Sequence, residues 1–126
     1  MDKDIRISES EWEVMKIIWN KKEVTSNEII EKLKDKKDWK AATIKSLISR
    51  LLNKEAISFN KKGKEYIYYP LIEEKKTVIE ESISFINRVF DGSISDLLLN
   101  FVKLEKLTEE DIDELKEILN SKNKEE

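Results

Sequence analysis

The chain has 126 residues, with 24 Lys+Arg against 27 Asp+Glu and neither Cys nor His, a length that suits one domain or one domain with an appendage. Without Cys or His there is no disulfide scaffold, no thiolate or imidazole metal site and no thiol nucleophile, and only two glycines leave no glycine-rich phosphate cradle, so no cofactor is expected and most enzyme chemistries are closed off. No apolar run approaches the ~20 residues of a membrane span and the opening Met1-Asp-Lys-Asp4 is not a signal peptide, so a cytoplasmic protein is expected, mainly helical because two Gly and one Pro leave little material for turns.

Ser8-Glu-Ser-Glu11 reads as a capping box that opens a helix. Trp12, Met15 and Trp19, with Val14 and Ile18 beside them, recur at the spacing of one buried helical face. Thr25-Ser-Asn-Glu28 repeats the start signal and leads into a short helix whose apolar residues are Ile29, Ile30 and Leu33. The polar run Asp35-Lys-Lys-Asp38 ends it.

The third segment has the clearest period. Ile44, Leu47, Ile48, Leu51 and Leu52 fall at i, i+3, i+4, i+7 and i+8, so one face is core. The opposite face carries Ala42, Lys45, Ser46 and Ser49, flanked by Thr43 and Arg50, with no carboxylate before Glu55. Small residues let a helix sink into a major groove, while Lys, Arg, Ser and Thr reach bases and phosphates. The period then changes to two. Ile57-Ser-Phe59 and Tyr66-Ile-Tyr68 alternate around Lys61-Lys-Gly-Lys64, the pattern of a β-hairpin with a turn at the lysines. Three helices followed by a basic-tipped hairpin is the order of a winged helix-turn-helix, whose third helix enters the major groove while the hairpin lies along the phosphates.

Glu73 to Phe90 reads as a long helix with Ile79, Ile83, Ile86 and Phe90 on one stripe, broken by Asp91-Gly-Ser93. Ile94–Val102 is a short, very apolar helix containing Leu97, Leu98, Leu99, Phe101 and Val102. Thr108-Glu-Glu-Asp111 looks like another helix start, with acids where the dipole favours them. Ile112, Leu115 and Leu119 form that last stripe, and Ser121–Glu126 reads as a frayed tail. Three short helices cannot bury so many large apolar side chains alone. A second copy packed about a two-fold axis would cover Ile79, Ile83, Ile86, Phe90, Leu97, Leu98, Phe101, Val102, Ile112, Leu115 and Leu119; the alternative is a helical cap folded onto the N-terminal half.

Charge separates the same two halves. Residues 1–72, expected to form a winged-helix DNA-binding domain, carry 16 basic and 12 acidic side chains; residues 73–126, expected to form a helical dimerisation domain, carry 8 and 15. Within Lys36–Lys64 nine basic residues face two acidic ones, the footprint of a nucleic-acid surface on an otherwise acidic chain. The expected DNA-binding residues are Lys40, Ala42, Thr43, Lys45, Ser46 and Arg50 around the third helix and Lys61, Lys62 and Lys64 in the hairpin. Two other readings stand beside this one. In the first, the hairpin lysines only blunt a sheet edge and the acidic surface docks a protein. In the second, Glu109, Glu110, Asp111, Asp113 and Glu114 hold a metal for hydrolysis, although contiguous acids on one helical turn point in several directions.

The chain resembles the penicillinase repressor family (BlaI/MecI type) of regulators of β-lactam resistance genes over nearly its whole length. The likeness rests on Glu11-Trp-Glu-Val-Met15 with Ile17-Ile-Trp19, Lys37-Asp-Trp39 followed by Thr43-Ile44, Leu47-Ile48 with Arg50-Leu51, Tyr68-Tyr69, Phe85-Ile-Asn87 and Leu99-Asn-Phe-Val102. The resemblance implies a homodimeric repressor on a dyad operator of TACA/TGTA type, read by the third helix through Ala42, Thr43, Lys45, Ser46 and Arg50. It also implies induction without a small ligand: a membrane-bound sensor metalloprotease detects the antibiotic, and the repressor is cut within its dimerisation region, here between Asn100 and Phe101. A relative rewired to other genes would keep the same resemblance. The sequence departs from the family pattern in three places. Lys40 stands where a capping Ser is frequent. Glu55 stands where Gly is common, at a cost of up to ~1 kcal/mol if the helix ends there with positive φ. The absence of Cys excludes the copper-responsive branch.

Overall fold

The structure, a computed structural model, describes residues 5–124; the opening Met1-Asp-Lys-Asp4 and the final Glu125-Glu126 lie outside the described residues. In chain order the elements are α1 (Glu9–Lys21), β1 (Val24–Thr25), α2 (Ser26–Lys34), α3 (Ala41–Asn53), β2 (Ile57–Lys62), β3 (Glu65–Pro70), α4 (Glu74–Phe90), α5 (Ile94–Lys103) and α6 (Glu109–Lys124). They form two compact units divided between Thr77 and Val78, within α4.

In the first unit both expected capping boxes form. The Ser8 hydroxyl accepts the Glu11 N–H while the Glu11 carboxylate accepts the Ser8 N–H at 2.8 Å, and Thr25 and Glu28 exchange the same pair of bonds at the start of α2. These bonds satisfy N–H groups that have no partner inside the helix. The apolar stripes then meet in one core: Val14, Met15, Ile18 and Trp19 from α1, Ile29 and Leu33 from α2, Ile44, Leu47, Ile48 and Leu51 from α3, and Val24, Ala56, Ile57 and Tyr68 around the sheet. Trp12, Ile30 and Leu52 pack at its edge. The Trp19 indole N–H, which must find an acceptor when its ring is buried, donates to the Ile72 carbonyl at 2.9 Å.

The sheet has three antiparallel strands in the order β1-β3-β2. β1 was not foreseen; Val24 pairs with Tyr68 and Thr25 with Ile67. The hairpin turn is also tighter than expected. Lys61 and Lys62 belong to β2, and only Gly63 and Lys64 turn the chain, with Gly63 at φ +65°, as the first position of a two-residue turn of this kind requires.

The second unit has the three expected helices. Thr108 and Asp111 exchange capping bonds, and Ser93 caps α5 through the Asp96 N–H at 3.1 Å. α5 closes with Lys106 N–H on the Phe101 carbonyl and Glu105 N–H on that of Val102, a Schellman motif. α6 runs through Ser121 to Lys124, so the expected fraying there is corrected: the segment continues the helix. Among the described residues of this unit no side chain is buried. Ile79, Ile83, Leu98, Phe101, Val102, Leu115 and Leu119 are exposed, Leu119 at 60%, and Ile86, Phe90, Leu97 and Ile112 are half-buried.

With only two glycines available, four non-glycine residues among the described ones adopt left-handed backbone after helices: Lys22, Glu55, Asp91 and Glu105. Glu55, at φ 62°, occupies the position the sequence marked as a departure.

Candidate nucleic-acid interface

α3 is built to show one face. Ile44, Leu47, Ile48 and Leu51 are buried, which turns Ala42, Thr43, Lys45, Ser46, Ser49 and Arg50 to solvent. Residues three and four apart are neighbours on a helix surface. Ala42–Ser46–Ser49 and Thr43–Ser46–Arg50 therefore form adjoining rows with Lys45 beside them. The first turn contains no acid. The helix start, which carries partial positive charge from its aligned peptides, is thus left uncompensated. Lys40 is the N-cap residue and makes no side-chain capping bond, since an ammonium offers no acceptor; its side chain is exposed.

Among the described residues, none of Lys40, Lys45, Arg50, Lys61, Lys62 and Lys64 is ion-paired, and all are exposed. The hairpin lysines do not share one face. Lys61 stands opposite Tyr66 and Lys62 opposite Glu65, so successive side chains point to opposite sides of the ribbon while Lys64 sits on the turn. Asn100 and Phe101 are exposed residues inside α5, and the Asn100 amide donates to the Asp96 carbonyl at 2.7 Å.

Two of the nine basic residues in Lys36–Lys64 point elsewhere, which charge counting could not reveal. Lys37 pairs with Glu13 at 3.6 Å and lies 5.8 Å over the Trp39 ring. Lys54, just past α3, turns inward to pair with Glu11 and also donates to the Arg6 carbonyl at 2.7 Å. Glu11 is 1% exposed. Burial pushes its carboxyl up, but the Lys54 ammonium, the Ser8 N–H and the Ser8 hydroxyl outweigh it and hold the group below its ordinary range. A signal for this contact was present in the sequence: Glu11 sits at i−3, i−4 and i−7 from Val14, Met15 and Ile18, on the apolar face, where a carboxylate needs a cation. Sequence reasoning also passed over the aromatic side of the hairpin, where Phe59 and Tyr66 pack with ring centroids 4.6 Å apart.

No metal-ligating cluster of acids is present among the described residues; Glu109, Glu110, Asp111, Asp113 and Glu114 are exposed on α6. No helix among the described residues is long and apolar enough to cross a membrane.

Three helices, a three-stranded sheet with its hairpin, and a third helix with one polar, cationic face define a winged helix-turn-helix protein. Residues 7–121 match the penicillinase repressor family profile. The chain is 46% identical over 121 residues to the methicillin resistance regulatory protein MecI of Staphylococcus aureus, covering 96% of this chain and 98% of MecI. It is 37% identical to the penicillinase repressor of Bacillus licheniformis over 94% of this chain and 93% of that one. Among solved structures, the monomeric form of B. licheniformis BlaI in complex with the blaP half-operator superposes at a TM-score of 0.53 with 37% identity, over 60% of this chain and 92% of that one. The chain belongs to the penicillinase repressor family.

Proposed function

We propose that this chain is a homodimeric transcriptional repressor of β-lactam resistance genes, bound to a dyad operator and inactivated by proteolysis in its second unit. The observation that carries the reading is the outer face of α3, on which Ala42, Thr43, Lys45, Ser46 and Arg50 stand exposed, with no acid in the first turn, while the reverse of the same helix is core. In the major groove the small side chains permit close approach and Lys45 and Arg50 reach base edges or phosphates. Lys40 meets the backbone at the helix start, and Lys61, Lys62 and Lys64 meet it from the hairpin. Residues 1–72 act as the DNA-binding domain and residues 73–126 as the dimerisation domain. The half-operator complex of the B. licheniformis relative, which superposes on 60% of this chain, supports the DNA-binding role.

Dimerisation gives the exposed stripes of the second unit a partner. Ile79, Ile83, Ile86 and Phe90 of α4, Leu97, Leu98, Phe101 and Val102 of α5, and Ile112, Leu115 and Leu119 of α6 then become interior. Two reading helices on one axis contact half-sites about one helical turn apart, roughly 34–36 Å, and the second contact gains from the high effective concentration set by the first. Cleavage of Asn100–Phe101 by a membrane sensor metalloprotease divides α5, severs α6 from α4 and removes that gain. No small-molecule ligand or cofactor takes part.

Selection of the purified protein against a random pool of duplex DNA tests the reading. A two-fold symmetric motif with TACA-like arms is expected. A symmetric motif of another sequence would keep the repressor and detach it from β-lactam genes. No enrichment at low salt would overturn the DNA reading.

A further inference from the structure

The hairpin alternates, so Ile57, Phe59 and Lys61 share one face with their cross-strand partners Pro70, Tyr68 and Tyr66. The inner end of this face belongs to the core: Ile57 is 1% exposed and Tyr68 8%. Beyond the core the same face continues outward with Phe59 at 42% and Tyr66 at 45% exposure. The two rings pack at 4.6 Å, Phe59 also leans on Tyr68 at 6.2 Å, and the Lys61 ammonium lies 6.0 Å from the Tyr66 ring. A solvent-facing hairpin needs no such ring pair, since Thr or Lys would serve there without leaving aromatic surface in water. The rings are fixed against one another and anchored to the core through Tyr68, so little side-chain freedom remains to be lost on binding.

We propose that Phe59, Tyr66 and Lys61 form a clamp for the sugar-phosphate backbone of duplex DNA, in which Phe59 packs on a deoxyribose, the Tyr66 hydroxyl donates to a phosphate and Lys61 neutralises it. This rests on the DNA reading above and adds to the hairpin lysines an uncharged contact that is blind to sequence. Charge selects the occupant. Lys61 lies beside the rings and Lys64 sits on the adjacent turn, while Lys62 and Glu65, the single acid of the tip, pair on the opposite face of the ribbon. The ring face thus carries cations and no acid, which suits a polyanion with apolar sugar faces. Tyrosine hydroxyls are among the groups that bond phosphate oxygens, and such contacts position without specifying.

The test is fluorescence anisotropy of the full chain on two duplexes, one carrying the motif retained in the selection and one unrelated, over a series of salt concentrations. Tyr66→Phe removes one oxygen and leaves the ring pair; it should lower affinity about 10-fold on both duplexes with an unchanged salt slope. Phe59→Leu should lower it several-fold in the same pattern. Lys61→Ala should flatten the slope by about 0.9. Tyr66→Phe and Phe59→Leu proteins that bind both duplexes as the parent does, while Arg50→Ala is impaired, overturn the clamp and leave the DNA reading standing. Unchanged duplex affinity with altered self-association would assign the rings to a protein contact and overturn it as well. A parent that binds no duplex overturns both.

Discussion

Lys54→Met isolates the contact between Glu11 and Lys54, because it removes the ammonium and keeps an unbranched apolar stem over the same surface. Glu11 is 1% exposed and would be left buried with the Ser8 N–H at 2.8 Å and the Ser8 hydroxyl as its remaining partners. Its escape is to take a proton. From an ordinary carboxyl value of 4.5, protonation at pH 7 costs about 3.4 kcal/mol at 1.36 kcal/mol per unit, which caps the cost of leaving Glu11 buried without its cation. The Lys54 side chain is 35% exposed, so solvent screens part of the lost attraction, and Ser8 still supports the anion. A loss of about 2 kcal/mol is therefore expected at pH 7. At pH 5 that cap falls to about 0.7 kcal/mol, so the loss is smaller than at pH 7 but not abolished, because the attraction of Lys54 for ionised Glu11 and its bond to the Arg6 carbonyl are lost at both pH values. In the parent the Glu11 pKa is lowered on folding, so its contribution is complete above 4.5 and lost as pH falls through the lowered value; the two stability curves must converge in acid. Urea unfolding followed by tryptophan emission reads this unit directly, since Trp12, Trp19 and Trp39 all lie in it. An equal loss at pH 7 and pH 5 would refute the reasoning, and so would a loss below ~0.5 kcal/mol at pH 7.

Arg50→Ala and Lys45→Ala should each weaken operator binding by roughly 1–3 kcal/mol if they reach base edges, with the urea midpoint unchanged because both side chains are exposed; if both variants bind as the parent does, α3 is not the reading helix. Glu105→Gly, at φ 57°, should raise the far-UV circular dichroism midpoint by relieving left-handed strain of up to ~1 kcal/mol. Asn100→Asp with Phe101→Leu, which keeps an apolar side chain on the α5 stripe, should give a repressor that stays bound when a cell carrying the sensor protease is exposed to a β-lactam; normal induction of a reporter would remove the cleavage assignment.

The parts of the fold legible from sequence are those governed by local rules. Ser8/Glu11, Thr25/Glu28 and Thr108/Asp111 announced their helices because capping is a contact over three residues. The face of α3 was legible because Ile44, Leu47, Ile48 and Leu51 leave one direction for Lys45, Ser46 and Arg50. Other features depend on distant partners. β1 is two residues long, and what makes it a strand is pairing with Ile67 and Tyr68, more than forty positions on. Lys54 looked like one more member of a basic patch, yet its direction is set by a carboxylate 43 residues away. Phe59 and Tyr66 showed the alternation of a hairpin, but only the strand register shows that their side of the ribbon outruns the core.

The two units differ in what they can do alone, and the proposed mechanism draws on that difference. The first has a closed core reaching from Ile7 to Tyr68, so its reading face can be held rigid in a single copy. The second buries no side chain among its described residues, so in the proposed dimer its order is inseparable from the presence of a second chain and therefore depends on protein concentration. α5 links α4 to α6 along the chain, and helices as short as its ten residues are marginal in water without a packed face. A single break at Asn100–Phe101 would leave halves of α5 far below the length that holds a helix, and it would do so in the unit with no core of its own. The DNA-binding unit would survive the cut folded but single, and a single copy holds its half-site with only its own affinity. In the proposed mechanism repression would thus be ended by removing the linkage between two intact readers, and a protease would serve as the switch where a ligand pocket would otherwise be needed.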